Sequence, residues 1–194
     1  MTSWEKALKF TLDYEGYYAN DPDDEGGETV RGIARKKHPD WLGWAEFDRM
    51  REKLGSPHAA ARDHVVEAMV HAFYRTEYWD KMRAEEMPWK PAMALFDFAV
   101  NSGVKTAVKK LQMVVGVAAD GVVGRNTLAA IREAFPGRWP VELGAPDWDS
   151  ALIEFLARRA LYLLAIMFKK PKQRKWAMNW FRRLFKLANV VLEG

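Results

Sequence analysis

Between stretches of helical periodicity the chain carries one run, residues 16–33 (GYYANDPDDEGGETVRGI), that no helix accommodates. It holds four glycines, a proline and three aspartates. In a helix interior each Gly costs about 1 kcal/mol and each Pro about 3 kcal/mol relative to Ala. The run is therefore a loop or a tight hairpin, and the helical segments must be arranged around it. A short strand around residues 28–33 fits its end.

The segment before the run reads as a helix. Thr2 and Glu5 form a T-x-x-E capping box, and Trp4, Ala7, Leu8, Thr11, Leu12 and Glu15 follow on one face. Glu15 thus ends an apolar stripe, and Gly16 stops the helix. Beyond the run, residues 60–83 are expected to form a long helix and residues 92–101 a buried one, apolar nearly all round. Further helices are expected over 104–115, 125–135, 148–168 and 176–192, with a turn at Asp120-Gly121 and the basic stretch KKPKQRK as a connector. The fold class is mainly α, with at most one small β-hairpin near the loop.

Composition narrows the function. No cysteine is present, which removes disulfides and thiolate catalysis, and the four histidines have no metal-ligand spacing. Neither a metal nor another cofactor is expected. The net charge of +4 favours polyanionic partners, but neither a zinc-finger spacing nor a phosphate loop accompanies it, so nucleic acid is not expected. Residues 1–10 lack the features of a signal peptide, and the longest apolar run, 160–168, is too short to span a bilayer. These features lead us to expect a monomer made in the cytoplasm without a transmembrane segment. It would reach any extracytoplasmic substrate through a holin or another export system.

Cleaving a glycosidic bond requires a carboxylic acid that protonates the leaving oxygen, and usually a second carboxylate or a positioned water on the other face. Glu15 suits the first role: it closes an apolar stripe, lies among Tyr14, Tyr17 and Tyr18, and opens onto the polar loop. Asp24 either orients a water or stabilises transition-state charge, or else structures the loop; Thr29 is a candidate to hold the water. Tyr17, Tyr18 and Tyr78 are candidates for stacking on sugar rings. Asp97 and Asn101, one turn apart on the buried helix, are candidates to line a cleft floor and bond sugar polar groups.

The stretch EGYYANDPDDEGGETVRGI, followed in order by YRTEYWDKM, DFAVNSG, LQMVVGVAADGVVGRNTLAAI and WAMNWFRRL, resembles the glycoside hydrolase family 108 muramidases. That family includes phage endolysin-like and secretion activator proteins. Tyr17 departs from it by replacing the second glycine of its E-G-G-Y opening. The resemblance implies a lysozyme-like helical fold, with a catalytic lobe over residues 1–92 and a helical peptidoglycan-binding type 3 segment over 93–194 packed as one unit. It also implies a catalytic glutamate at Glu15 and peptidoglycan as partner, cut between N-acetylmuramic acid and N-acetylglucosamine. The spacing of Glu15, Asp24 and Thr29 is similar to the triad of T4-type phage lysozymes, and a catalytic Asp24 rests on that comparison. The alternatives are a non-catalytic peptidoglycan-binding or secretion-accessory protein that retains the fold, and a lytic transglycosylase or an enzyme acting on a related polymer such as chitin.

Overall fold

The computed structural model describes residues 1–20, 27–135 and 148–193. Among these, helices dominate, and one small antiparallel sheet accompanies them, the composition of a lysozyme-like fold. The chain forms two compact units: Leu8–Glu77, and Met1–Ala7 together with Tyr78–Gly194.

In the Leu8–Glu77 unit, helix α1 (Ser3–Glu15) ends at Gly16, and the chain turns into strand β1 (Tyr18–Asn20). Strand β2 (Glu28–Val30) pairs antiparallel with β1, placing Tyr18 opposite Val30 and Ala19 opposite Thr29. A third strand, β3 (Ile33–Ala34), extends the hairpin, with Val30 opposite Ile33. Val30 and Ile33 are buried, so one face of the sheet meets the core.

Helix α2 (Gly43–Leu54) buries Trp44, Phe47 and Met50. The expected long helix over 60–83 is broken. A single turn, α3 (Pro57–Ala60), is capped by Ser56, and α4 (His64–Tyr74) is capped by Asp63, whose carboxylate accepts from the Val65 and Val66 amides at 2.9 and 3.3 Å. Two N-terminal caps so close together end one helix and start another. A π-helical turn, Arg75–Trp79, follows α4.

The second unit is built around α5 (Trp89–Ser102), buried from Pro91 to Ala99. It starts three residues earlier than the periodicity predicts. Pro91 lies in its first turn, where a missing amide hydrogen deprives no carbonyl of a partner. Helices α6 (Val104–Val114), α8 (Trp148–Lys169) and α9 (Ala177–Glu193) pack on α5. Trp4, at the start of α1, joins Trp79 and Phe96 in an edge-to-face cluster with centroids 5.4–5.7 Å apart. The basic connector is not an open loop but a 3-10 turn, Pro171–Trp176.

The D-G-x-x-G-x-x-T turn leading into α7 (Arg125–Ala134) closes on one buried side chain. The Gln112 amide nitrogen donates to Asp120 Oδ1 (2.7 Å), Val122 O (3.0 Å) and Thr127 Oγ1 (3.2 Å), while its oxygen accepts from the Gly121 amide (2.8 Å). Gly121 has φ +87°, and a Cβ there would come within 2.6 Å of Lys105 Cγ and 3.1 Å of its carbonyl oxygen. The motif's polar atoms are therefore spent on the turn. Gln112→Leu keeps the bulk but strands a buried amide and hydroxyl, and is expected to cost about 2–3 kcal/mol of stability in chemical denaturation. A loss below ~0.5 kcal/mol would show that the knot contributes nothing.

Candidate active site around Glu15

Glu15 is the last residue of α1 and is half-buried. Its surroundings are set by the two-residue turn between β2 and β3. Both Arg31 (φ +49°) and Gly32 (φ +82°) lie in the left-handed region, as two-residue hairpin turns of the I′ kind require. A Cβ on Gly32 would fall 2.7 Å from Glu15 Oε2 and 2.6 Å from the Tyr74 hydroxyl. The acid and the phenol thus converge on the bare α-carbon of Gly32. Gly32→Ala is expected to cost about 1–3 kcal/mol in melting experiments and to displace Glu15. A variant as stable and as active as the parent would disprove this close approach.

Arg31 tolerates its strained backbone because its amide, its carbonyl and the end of its guanidinium are all held. Its amide donates to Tyr17 O (3.0 Å) and its carbonyl accepts from the Tyr74 hydroxyl (2.7 Å). Its guanidinium pairs with Glu67 (2.6 Å) and reaches Leu12 O (3.5 Å) in the last turn of α1, at the negative end of the helix dipole. Strain fixed in this way by surrounding contacts is characteristic of sites that must hold a geometry. Tyr74, Arg31 and Glu67 were missed in the sequence. Tyr74 lies on the apolar face of its helix and reads as core, and only the structure shows its hydroxyl emerging beside the acid.

The tyrosines predicted to stack on sugars are engaged by protein groups. Guanidiniums of Arg31 and Arg62 lie 3.7 and 4.0 Å from the Tyr17 ring centroid. Tyr18 stacks on Phe47 (5.8 Å) and donates to Glu28 (3.2 Å). Burial, and then the Glu28 charge, raise its phenol above the usual value of 10.0. Glu28 in turn pairs with Arg35 (2.6 Å) and Arg51 (2.9 Å), both of which also bind Asp48. This network fastens the hairpin to α2, and it commits Glu28 as firmly as Arg31 commits Glu67. Thr29 is half-buried on β2 and its hydroxyl donates to Gly27 O (3.1 Å). Asp24 lies outside the described residues. A separate cleft of about 570 Å³ in this unit is lined by Lys37, His38, Trp41, Met69, Phe73 and Glu77 among others; Glu15 is not part of it.

In the other unit, Tyr78 is half-buried and meets Phe96 edge-on at 6.4 Å. Asn101 is exposed at the end of α5, its amide donating to Asp97 O (3.3 Å). The expectation that Asp97 lines a sugar-binding floor is corrected. It is fully buried; one carboxylate oxygen accepts from Arg159 (2.6 Å) and the other from Arg183 (2.7 and 2.9 Å). Asp97 is a structural clamp joining α5, α8 and α9. Among the described residues no three His, Asp or Glu side chains gather as a metal site.

Residues 8–103 match the family model described as glycosyl hydrolase 108. This match supports a glycoside hydrolase, and peptidoglycan fits that family as substrate. The matched segment takes in Glu15, the hairpin, Tyr74, Asp97 and Asn101, and stops before the Gln112 turn. The solved structure of Brucella abortus SagA is similar over nearly the whole length, at 28% identity and a TM-score of 0.66, covering 98% of this chain and 94% of that one. The helices beyond the matched segment are thus part of a fold that SagA shares. No curated protein matches the chain.

Proposed function

We propose that the protein is an N-acetylmuramidase that cuts the β-1,4 bond between N-acetylmuramic acid and N-acetylglucosamine in peptidoglycan. The observation that carries this reading is Glu15 itself. Within the glycosyl hydrolase 108 segment it is a half-buried carboxyl at a helix end, packed against a strained turn that only Gly32 allows to approach. Glu28 and Glu67, the other hairpin-side carboxylates discussed, are paired with arginines and serve to hold the hairpin.

In this mechanism Glu15 protonates the leaving glycosidic oxygen as positive charge develops at the anomeric carbon. A water completes the cleavage. Thr29, whose hydroxyl hydrogen is directed to Gly27 O, keeps its lone pairs for such a water. Asp24 takes the part of the second carboxylate. Asn101 and Tyr78 are the sugar-contacting candidates of the other unit. No cofactor enters the scheme. The catalytic lobe spans residues 1–92, with 93–194 as its helical wall-binding companion. The protein is made in the cytoplasm and acts on the wall after release.

The test is digestion of purified peptidoglycan with mass spectrometry of the products. Muropeptides with reducing muramic-acid ends support the muramidase. Anhydro-muropeptides identify a transglycosylase instead, and the absence of any product transfers the fold to a binding or accessory role.

A further inference from the structure

The hairpin made by α8, the 3-10 turn and α9 has a chemistry that hydrolysis does not use. Residues 155–192 contain ten Lys and Arg and neither Asp nor Glu. Arg159 and Arg183 pair with Asp97 and Arg158 with Glu154, all inside or beside the core. The other seven are exposed, five of them crowded into Lys169–Lys175. Large apolar side chains lie open among them. Leu161, Leu164 and Phe168 form an i, i+3, i+7 stripe on α8, with Phe168 76% exposed, and Met178 and Phe185 (66% exposed) repeat the spacing on α9. Trp176 is half-exposed between the two stripes. The buried faces of these helices are formed by other residues, among them Phe155, Leu163, Leu184 and Leu187. Each helix therefore carries a second apolar face beside its core face, contrary to the polar outer face of an ordinary surface helix.

Charge decides what covers that face. A second copy of the chain would set the same cations against one another. A nucleic acid or a free polyanion satisfies the cations but leaves the Phe, Leu and Met side chains wet. An anionic bilayer surface takes both: phosphates for the lysines and arginines, and the acyl boundary for the apolar stripes. A cleft of about 460 Å³ beside α8 has the same character, with Lys110, Arg158 and Lys169 around Leu161, Tyr162 and Ile166. We infer that the α8–α9 hairpin is a membrane-surface anchor, lying flat on anionic phospholipid with Leu161, Phe168, Trp176, Met178 and Phe185 in the headgroup–acyl boundary. Among the described residues no helix is long and apolar enough to cross a membrane.

The experiment is co-sedimentation of the full chain with phosphatidylglycerol vesicles and with phosphatidylcholine vesicles. Binding to the first and little to the second is expected. K169Q/K170Q/K172Q is expected to bind phosphatidylglycerol about a hundredfold more weakly. F168S/F185S is expected to lose at least about tenfold in affinity and the binding that persists in high salt. Both variants replace exposed side chains, and a melting curve checks their fold. In the unsubstituted protein, brominated acyl chains should quench a fluorescence component that W176F removes. The inference is overturned if the anionic vesicles do not retain the protein or if the two vesicle types retain it equally. It is also overturned if F168S/F185S binds as the parent does, which would leave only a polyanion site, or if that variant abolishes a dimer of the parent, which would make the face a self-association surface.

Discussion

Glu15→Gln is expected to lower the rate of peptidoglycan hydrolysis by at least about a hundredfold while leaving the fold intact. General acid catalysis contributes roughly a hundredfold to ten-thousandfold, and an amide of the same shape has no proton to give the leaving oxygen. Near-identical size matters here, because Glu15 Oε2 and the Tyr74 hydroxyl are packed against Gly32. A glutamine preserves that packing, so melting should shift by less than ~1 kcal/mol. Rate and stability measured together separate the two roles. A variant that melts normally and digests within a few-fold of the parent would remove Glu15 from the chemistry. One that melts early would show that the carboxylate is needed for the turn.

The helices and the position of Glu15 could be read from the sequence because both follow from short-range rules. Period, caps and the Gly16 stop placed α1 to within a residue, and the Gly- and Asp-rich run announced the hairpin. The missed break in 60–83 was equally local: Ser56-Pro57 and Asp63 are helix starts that an unbroken apolar face obscured. What could not be read depends on partners distant in the chain. Arg31 is joined to Glu67 across 36 residues, the Tyr74 hydroxyl to Arg31 across 43, and Asp97 to Arg183 across 86. No spacing rule links such positions. A carboxylate on an apolar helix looks the same in sequence whether it faces a substrate or a pair of arginines. Tyr17 and Tyr18 raise the same difficulty, since an aromatic pair beside a candidate acid suggests sugar stacking until its cationic and aromatic neighbours are seen.

Asp97→Ala should produce the largest loss of stability. It would leave Arg159 and Arg183, both buried, without their counter-charge in a low-dielectric interior. Removing one member of a buried ionic cluster typically costs about 3–5 kcal/mol, which for a chain of this size lowers the melting temperature by roughly 6–20 °C. The pH dependence identifies the cause. Burial opposes charge on Asp97, but the two arginines and their hydrogen bonds outweigh it and hold the carboxyl below its ordinary value of 3.8. Burial likewise weakens Arg159's hold on its proton, and Asp97 offsets this only in part, but a guanidinium stays charged throughout. A depressed folded-state value means that the clamp contributes fully above 3.8 and is lost as pH falls through the lower value of the folded state. The gap in melting temperature between parent and variant should therefore be widest near neutrality and close in strong acid. A gap that is small or independent of pH would refute the clamp. Replacing all three residues together, as D97L/R159M/R183M, provides the complementary measurement. Apolar groups of similar volume need no counter-charge, so the triple variant should recover much of the stability that Asp97→Ala alone loses.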